Sequence, residues 1–205
     1  MQYAVEQSTQ DPQREPQLWR KALQLKASPL FVSTTDTAPL VEKQAIFLAL
    51  IGLKPVSEAS SGHWVPTRGG RRSVYDAPAA VAAFLESLGL AYHMRQDEYA
   101  TDALVSLQPE LLDAYEAAAA DGDQVKIGEL LGYPETAVAA FAARDQDADG
   151  QDLLLPPAEQ ERIEREVQLP AYMPTFRFSR EHWRQEMAVE QRWLSVLRLY
   201  DLLES

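Results

Sequence analysis

With 205 residues, 46% of them hydrophobic, the chain is long enough to bury a real core, which excludes a protein unfolded by composition. A formal net charge of -12 and a pI near 4.7 set its overall field against phosphate backbones, so nucleic acid is disfavoured as a partner unless a local basic patch outweighs that field. Cysteine is absent, which removes disulfides, thiolate nucleophiles, CxxC redox pairs and cysteine-bound zinc or iron–sulfur sites; with no cationic leader and no 18-residue apolar run, the expectation is a cytoplasmic protein without a membrane span.

In chain order, the polar residues 1–15 read as a tail and 16–205 as a single globular domain. Pro16 opens a helix through about Ala27 with Leu18, Trp19, Ala22, Leu23 and Leu25 as its apolar positions. A short extended piece, LFVST, follows. Thr37 as cap and Pro39 in the first turn start PLVEKQAIFLALI, and Gly52 is placed to stop it in a left-handed conformation, with Leu53 folding back. The grammar repeats when Asp76 caps and Pro78 opens APAAVAAFLESL, Gly89 stops it and Leu90 closes it. Shared helix-stop chemistry explains the likeness of FLALIGL and FLESLGL without a duplication.

Leu90 to Arg95 alternates as a half-buried strand, with Leu90, Tyr92 and Met94 on one side and Ala91, His93 and Arg95 on the other. Ala103 to Leu107 is its expected hairpin partner. Pro109 opens ELLDAYEAAAADG, Gly122 ends it, and Asp123 caps the next helix at once. Leu153 to Gln168 reads as a proline-interrupted acidic helix and PAYMPTFRF as irregular or extended. A long terminal helix then starts from a Ser179 cap, with Trp183, Met187, Leu194, Leu197 and Tyr200 as its stripe. The fold class is therefore α+β: helix-dominated, with a small antiparallel sheet. The terminal stripe fits packing on its own core or pairing in a dimer, so monomer and dimer both stay open.

The stretch KIGELLGYPETAVAAF, within residues 123–144, has helix-turn-helix spacing: a small residue at Gly128, a turn glycine at Gly132 and an apolar position at Val138. Ile127, Leu131, Val138 and Phe141 would form the seam. A DNA-reading second helix displays Arg, Lys, Asn, Gln or Ser; this one offers Glu135, Thr136 and alanines, so a structural helix pair is the plainer reading. The run Leu131, Gly132, Tyr133, Pro134 and, further on, Phe141 resembles an uncharacterised family of archaeal proteins with a recurring Leu-Gly-Tyr-Pro-x-Cys-Cys motif, over about residues 84–141. The two cysteine positions are Thr136 and Ala137 here, so no metal or redox role carries across. The resemblance implies a plan of elements and no reaction.

Two places suggest ligand chemistry. Asp145, Asp147 and Asp149, followed by Gly150, copy the first half of a calcium loop, but the twelfth position is Pro156 and the eighth Asp152, so the pattern is incomplete and an acidic solvated loop is the default. The segment GHWVPTRGGRRSVY, residues 62–75, holds the dense basic cluster, Arg68, Arg71 and Arg72 around a Gly69–Gly70 pair, with His63 and Trp64 adjacent. Guanidinium groups beside pliable backbone suit a phosphate, a carboxylate or an acidic protein partner. No phosphate-loop, dinucleotide, HExxH or GxSxG motif occurs, and His63, His93 and His182 lie far apart; His182 and Glu186 share helical spacing. The sequence thus points to a non-catalytic interaction or ligand-binding protein that contacts an anionic group through residues 62–75 and needs no cofactor. The alternatives are an enzyme without a recognisable motif and a DNA-binding regulator.

Overall fold

A computed structural model describes residues 14–31, 40–61, 63–67, 70–74, 76–96, 101–144, 153–170, 173 and 175–203, with the backbone alone at 14, 63–67, 70–74 and 96. Among these residues the fold is α+β and helix-dominated, with a small antiparallel sheet and a long C-terminal helix. The helices are α1 (Arg14–Ala27), α2 (Val41–Leu50), α3 (Pro78–Leu88), α4 (Pro109–Asp121), α5 (Gln124–Leu130), α6 (Glu135–Ala143), α7 (Pro157–Glu166) and α8 (Trp183–Leu199). The strands are β1 (Ser57–Ser61), β2 (His63–Thr67), β3 (Gly70–Val74), β4 (Ala91–Gln96) and β5 (Thr101–Ser106). No helix among the described residues is long and apolar enough to cross a membrane.

The main sheet has the order β1-β5-β4, all antiparallel, so Ser57, Val105 and Tyr92 stand side by side, as do Glu58, Leu104 and His93. Alternation makes its faces unlike. One carries Ser57, Ala59, Ser61, Thr101, Ala103 and Val105, all buried. These small side chains let α2 lie close, and the large core built around Ile46, Phe47, Leu85, Trp193 and Leu197 begins there. The other face carries Leu104 at one end, in a smaller cluster with Val56, Leu112, Tyr115, Leu130 and Leu131 from the α4–α5 side, and polar groups at the other. Tyr200, at the end of α8, packs its ring 4.9 Å from both Trp19 and Phe47. Trp193, on the same helix, is 1% exposed, so it and Tyr200 pack within their own chain.

The glycine stops stand where expected: Gly52, Gly89 and Gly122 have φ of 77°, 73° and 70°, and Leu53 and Leu90 return their N–H groups to Leu48 and Leu85. Asp123 caps α5 by accepting from Lys126 N at 2.9 Å. Other expectations are corrected. Ala77, not Asp76, is the N-cap of α3; the Asp76 carboxyl accepts instead from Phe31 N and Ser61 Oγ, tying the segment after α1 and the end of β1 to the start of α3. The terminal helix starts at Trp183 after His182; Ser179 stands a turn earlier, its hydroxyl accepting from His182 N and donating to Glu186. Glu186, expected on one surface with His182, is 1% exposed and turned inward. Helix α2 starts at Val41; Thr37 and Pro39 lie outside the described residues, as do Asp145, Asp147 and Asp149. Strand β1, SEASS, had no apolar alternation to announce it.

Helices α5 and α6 are joined through Gly132 at φ 78°, and a Cβ at that position would also meet Leu53 O at 3.2 Å. Gly128 is the contact point: a Cβ there would lie 2.7 Å from Val138 Cγ2. Because the branched Val138 side chain has little rotamer freedom in a helix, Gly128→Ala is expected to destabilise by about 1–3 kcal/mol despite its better helix propensity. Adding Val138→Ala should recover most of the loss in a urea titration; failure of the pair to recover would show that the strain lies elsewhere.

Candidate functional site

Three places bear on function. The first is residues 62–75, expected as a loop. Its backbone is a β2–β3 ribbon pairing His63 with Val74, Val65 with Arg72, Pro66 with Arg71 and Thr67 with Gly70. Residues 68 and 69 fall between the paired ends and lie outside the described residues. Strand positions alternate between faces, so position 72 shares a face with 63, while 71 shares the other with 64.

The second is the polar end of the sheet, a cleft of about 220 Å³ bounded by Glu58, Ser60, His93, Arg95 and Asp102. Register puts these five on one face, opposite α4. Tyr115 Oη donates to Glu58 Oε1 at 2.5 Å and Ser60 Oγ to Asp102 Oδ1 at 2.6 Å. Burial, then the hydrogen bond to Glu58, hold the Tyr115 hydroxyl well above the usual phenol range. Glu42 reaches over from α2 to accept Ser60 N at 2.9 Å, which occupies a donor on the outer edge of β1. Its pKa is raised by burial, against the pull of that hydrogen bond, with the Asp102 and Glu58 charges adding to the rise. His93 stands beside Asp113 (3.6 Å) and Glu116 (3.9 Å) of α4, and Glu116 also pairs with Arg95. Among the described residues no group of three acidic or histidine side chains is placed to hold a metal.

The third is a cavity of about 300 Å³ along the α5–α6 seam. Gly128 and Val138 close the seam at one point, but Ile127, Leu131 and Phe141 diverge from it and leave an apolar hollow whose far wall is Phe176 and Arg177. The wall is built by a short alternating run. Gln160 donates to Phe176 O and accepts from Phe178 N, and Leu155 N donates to Phe178 O at 2.9 Å. Phe176 and Phe178 are buried in the core, so the residue between them is sent the other way. Arg177 Nη2 donates to Leu155 O at 2.6 Å, while its Nε is buried without a partner among the described residues. Arg177 is the one charged residue on the cavity wall.

Sequence reasoning found four of the residues lining this hollow, Ile127, Leu131, Val138 and Phe141, as a closed seam, and missed Arg177 because PAYMPTFRF, read as irregular or extended, was given no place in a site. The signal was the Phe-Arg-Phe alternation within it. On α6, Ala137, Val138 and Ala140 are buried, and Thr136 Oγ1 donates to Glu186 Oε1 of α8 at 2.6 Å. What remains exposed is Glu135, Ala139 and Arg144, the last stacked 3.7 Å from the Phe141 ring. No family model, curated protein or solved structure matches this chain, so its function is read from this geometry.

Proposed function

We propose that the chain is a non-catalytic ligand-binding protein that takes a small apolar molecule bearing an anionic group into the α5–α6 cavity. The observation that carries this is Arg177: a guanidinium with a buried, unpartnered Nε on the wall of an otherwise uncharged hollow. A guanidinium on an otherwise apolar wall pairs strongly with a carboxylate, and the cavity size suits a short-chain or single-ring acid. The anionic class is the one expected from the arginines of residues 62–75, which remain a second docking point for an acidic partner. Positions 71 and 72 take opposite faces of their ribbon, so the cavity is the better supported place.

The test is calorimetric titration with octanoate, using octan-1-ol as the uncharged control. Octanoate is expected to bind, and Arg177→Met to weaken it about 10- to 100-fold, the worth of a charged hydrogen bond, with octanol unaffected. A variant carrying Arg68→Ala, Arg71→Ala and Arg72→Ala should bind octanoate as the parent does. Loss there, with Arg177→Met silent, would move the anion site to the ribbon.

A second reading, acid–base catalysis at the sheet cleft, is favoured by His93, on the cleft wall, lying beside two carboxylates, Asp113 and Glu116. DNA regulation is disfavoured, because the exposed positions within α6, Glu135 and Ala139, offer no base-reading group and Arg144 lies past its end, stacked on Phe141. A gel shift on bulk DNA at low salt is expected to be absent.

A further inference from the structure

All five lysines of the chain lie among the described residues, and four have an oxygen at the ammonium. Lys21 Nζ donates to Leu88 O at 2.6 Å, Lys43 Nζ to Ser28 O at 2.5 Å and Lys26 Nζ to Asp201 Oδ2 at 2.5 Å; Lys126 Nζ meets Glu129 Oε2 at 3.1 Å. Lys54 is the exception. It is 5% exposed, and its Nζ has no oxygen partner among the described residues, lying instead 5.3 Å from the Tyr133 ring centroid and 5.4 Å from that of Trp193. It also lines a separate cavity of about 330 Å³, with Leu53, Leu111, Ser106, Glu129 and Tyr133. Ring faces attract a cation but accept hydrogen bonds poorly, so burial dominates: desolvation lowers the Lys54 pKa to about 8, with the Glu58 charge opposing. A lysine desolvated in an apolar site is a nucleophile at neutral pH.

We propose that Lys54 is a covalent capture site for small uncharged aldehydes, which enter the cavity it shares with Leu53 and Leu111 and condense with its Nζ. The nitrogen lone pair attacks the carbonyl carbon, and a carbon–nitrogen double bond forms as the carbon–oxygen bond breaks. Both amine hydrogens leave with that oxygen as water, so no oxidant or reductant is required. Once protonated, the imine keeps a positive charge where Tyr133 and Trp193 now face the ammonium. The preference for an uncharged aldehyde follows from Glu129, the one acid on that wall, which repels an anionic one.

Intact protein treated with propanal and cyanoborohydride at pH 7, then digested and mapped, should carry the adduct on Lys54 at least tenfold faster than on any of the other four lysines. The rate should climb with pH to a midpoint near 8. Glyoxylate, an anionic aldehyde, should lose that preference for Lys54 over Lys126. Lys54→Met keeps the apolar stem and should stay folded by circular dichroism while the fast adduct disappears; Lys126→Met should retain it. Modification of Lys54 no faster than that of Lys21, Lys26, Lys43 and Lys126 would overturn the proposal. Octanoate binding by Lys54→Met should match the parent, which separates this outcome from that of the Arg177 cavity.

Discussion

Glu190→Gln is expected to stabilise the protein by about 3 kcal/mol at pH 7 and to flatten its stability between pH 5 and 8. Glu190 is fully buried on α8; Phe176 N donates to its Oε1 at 3.2 Å, and its Oε2 has no partner among the described residues. Burial raises its pKa from 4.5 to about 8, against the pull of the Phe176 hydrogen bond, with the Glu164 charge adding to the rise. In the unfolded chain the group ionises above about 4.5, whereas in the folded chain it holds its proton to about 8. Its contribution is therefore complete below pH 4.5 and lost as pH rises to 8, at roughly 1.4 kcal/mol per unit. Glutamine keeps the acceptor for Phe176 N and cannot ionise. Lys54 runs the other way: with its pKa lowered from 10.5 to about 8, its burial penalty is complete below pH 8 and relieved between 8 and 10.5. From these two groups, urea midpoints should pass through a minimum near pH 8. A Glu190→Gln protein no more stable than the parent at pH 7 would contradict the assignment.

One turn earlier on the same helix, Glu186→Ala is expected to cost about 3–5 kcal/mol. The Glu186 carboxyl is equally hidden but fully used: Ser179 N donates to Oε2 at 2.7 Å, and Ser179 Oγ and Thr136 Oγ1 both donate to Oε1 at 2.6 Å. Alanine leaves three donors in the interior and removes the link between α6 and α8. Thermal melting should show the loss, and amide exchange should quicken in α6 before the sheet. Glu186→Gln, which keeps one acceptor, should recover more than half. Two acids of the same type, four residues apart, thus have opposite expected signs, decided by how many donors each meets.

That pair marks what the sequence could convey. Helix stops at Gly89 and Gly122 were legible because left-handed backbone selects glycine. The ends of α7 and α8 use the same conformation at Gln168 and Asp201, with φ of 57° and 54°, and carry no such mark. Strand β4 showed in its alternation, and β5 as its expected hairpin partner, placed two residues late at its start. Strand β1 did not, since its inward positions are serines and an alanine, small enough for α2 to approach, so its burial is a property of the helix above it. Arg177 was invisible for a similar reason: its significance lies in a hollow whose other wall is fifty residues away at Ile127. Lys54 carried no mark in the sequence, since its burial against the Tyr133 and Trp193 rings arises only in the tertiary structure.

Strand β5 is the middle strand of the main sheet and the last of all the described strands in the chain. Ser60 and Asp102, neighbours across β1 and β5, are 42 residues apart. During vectorial synthesis a nascent polypeptide that has reached residue 100 holds both outer strands and nothing to bridge them, so sheet assembly waits on the segment that follows. Fragments cut ahead of Thr101 would leave two unsatisfied backbone ladders open to other chains, a hazard that the full-length product escapes by inserting one strand between them.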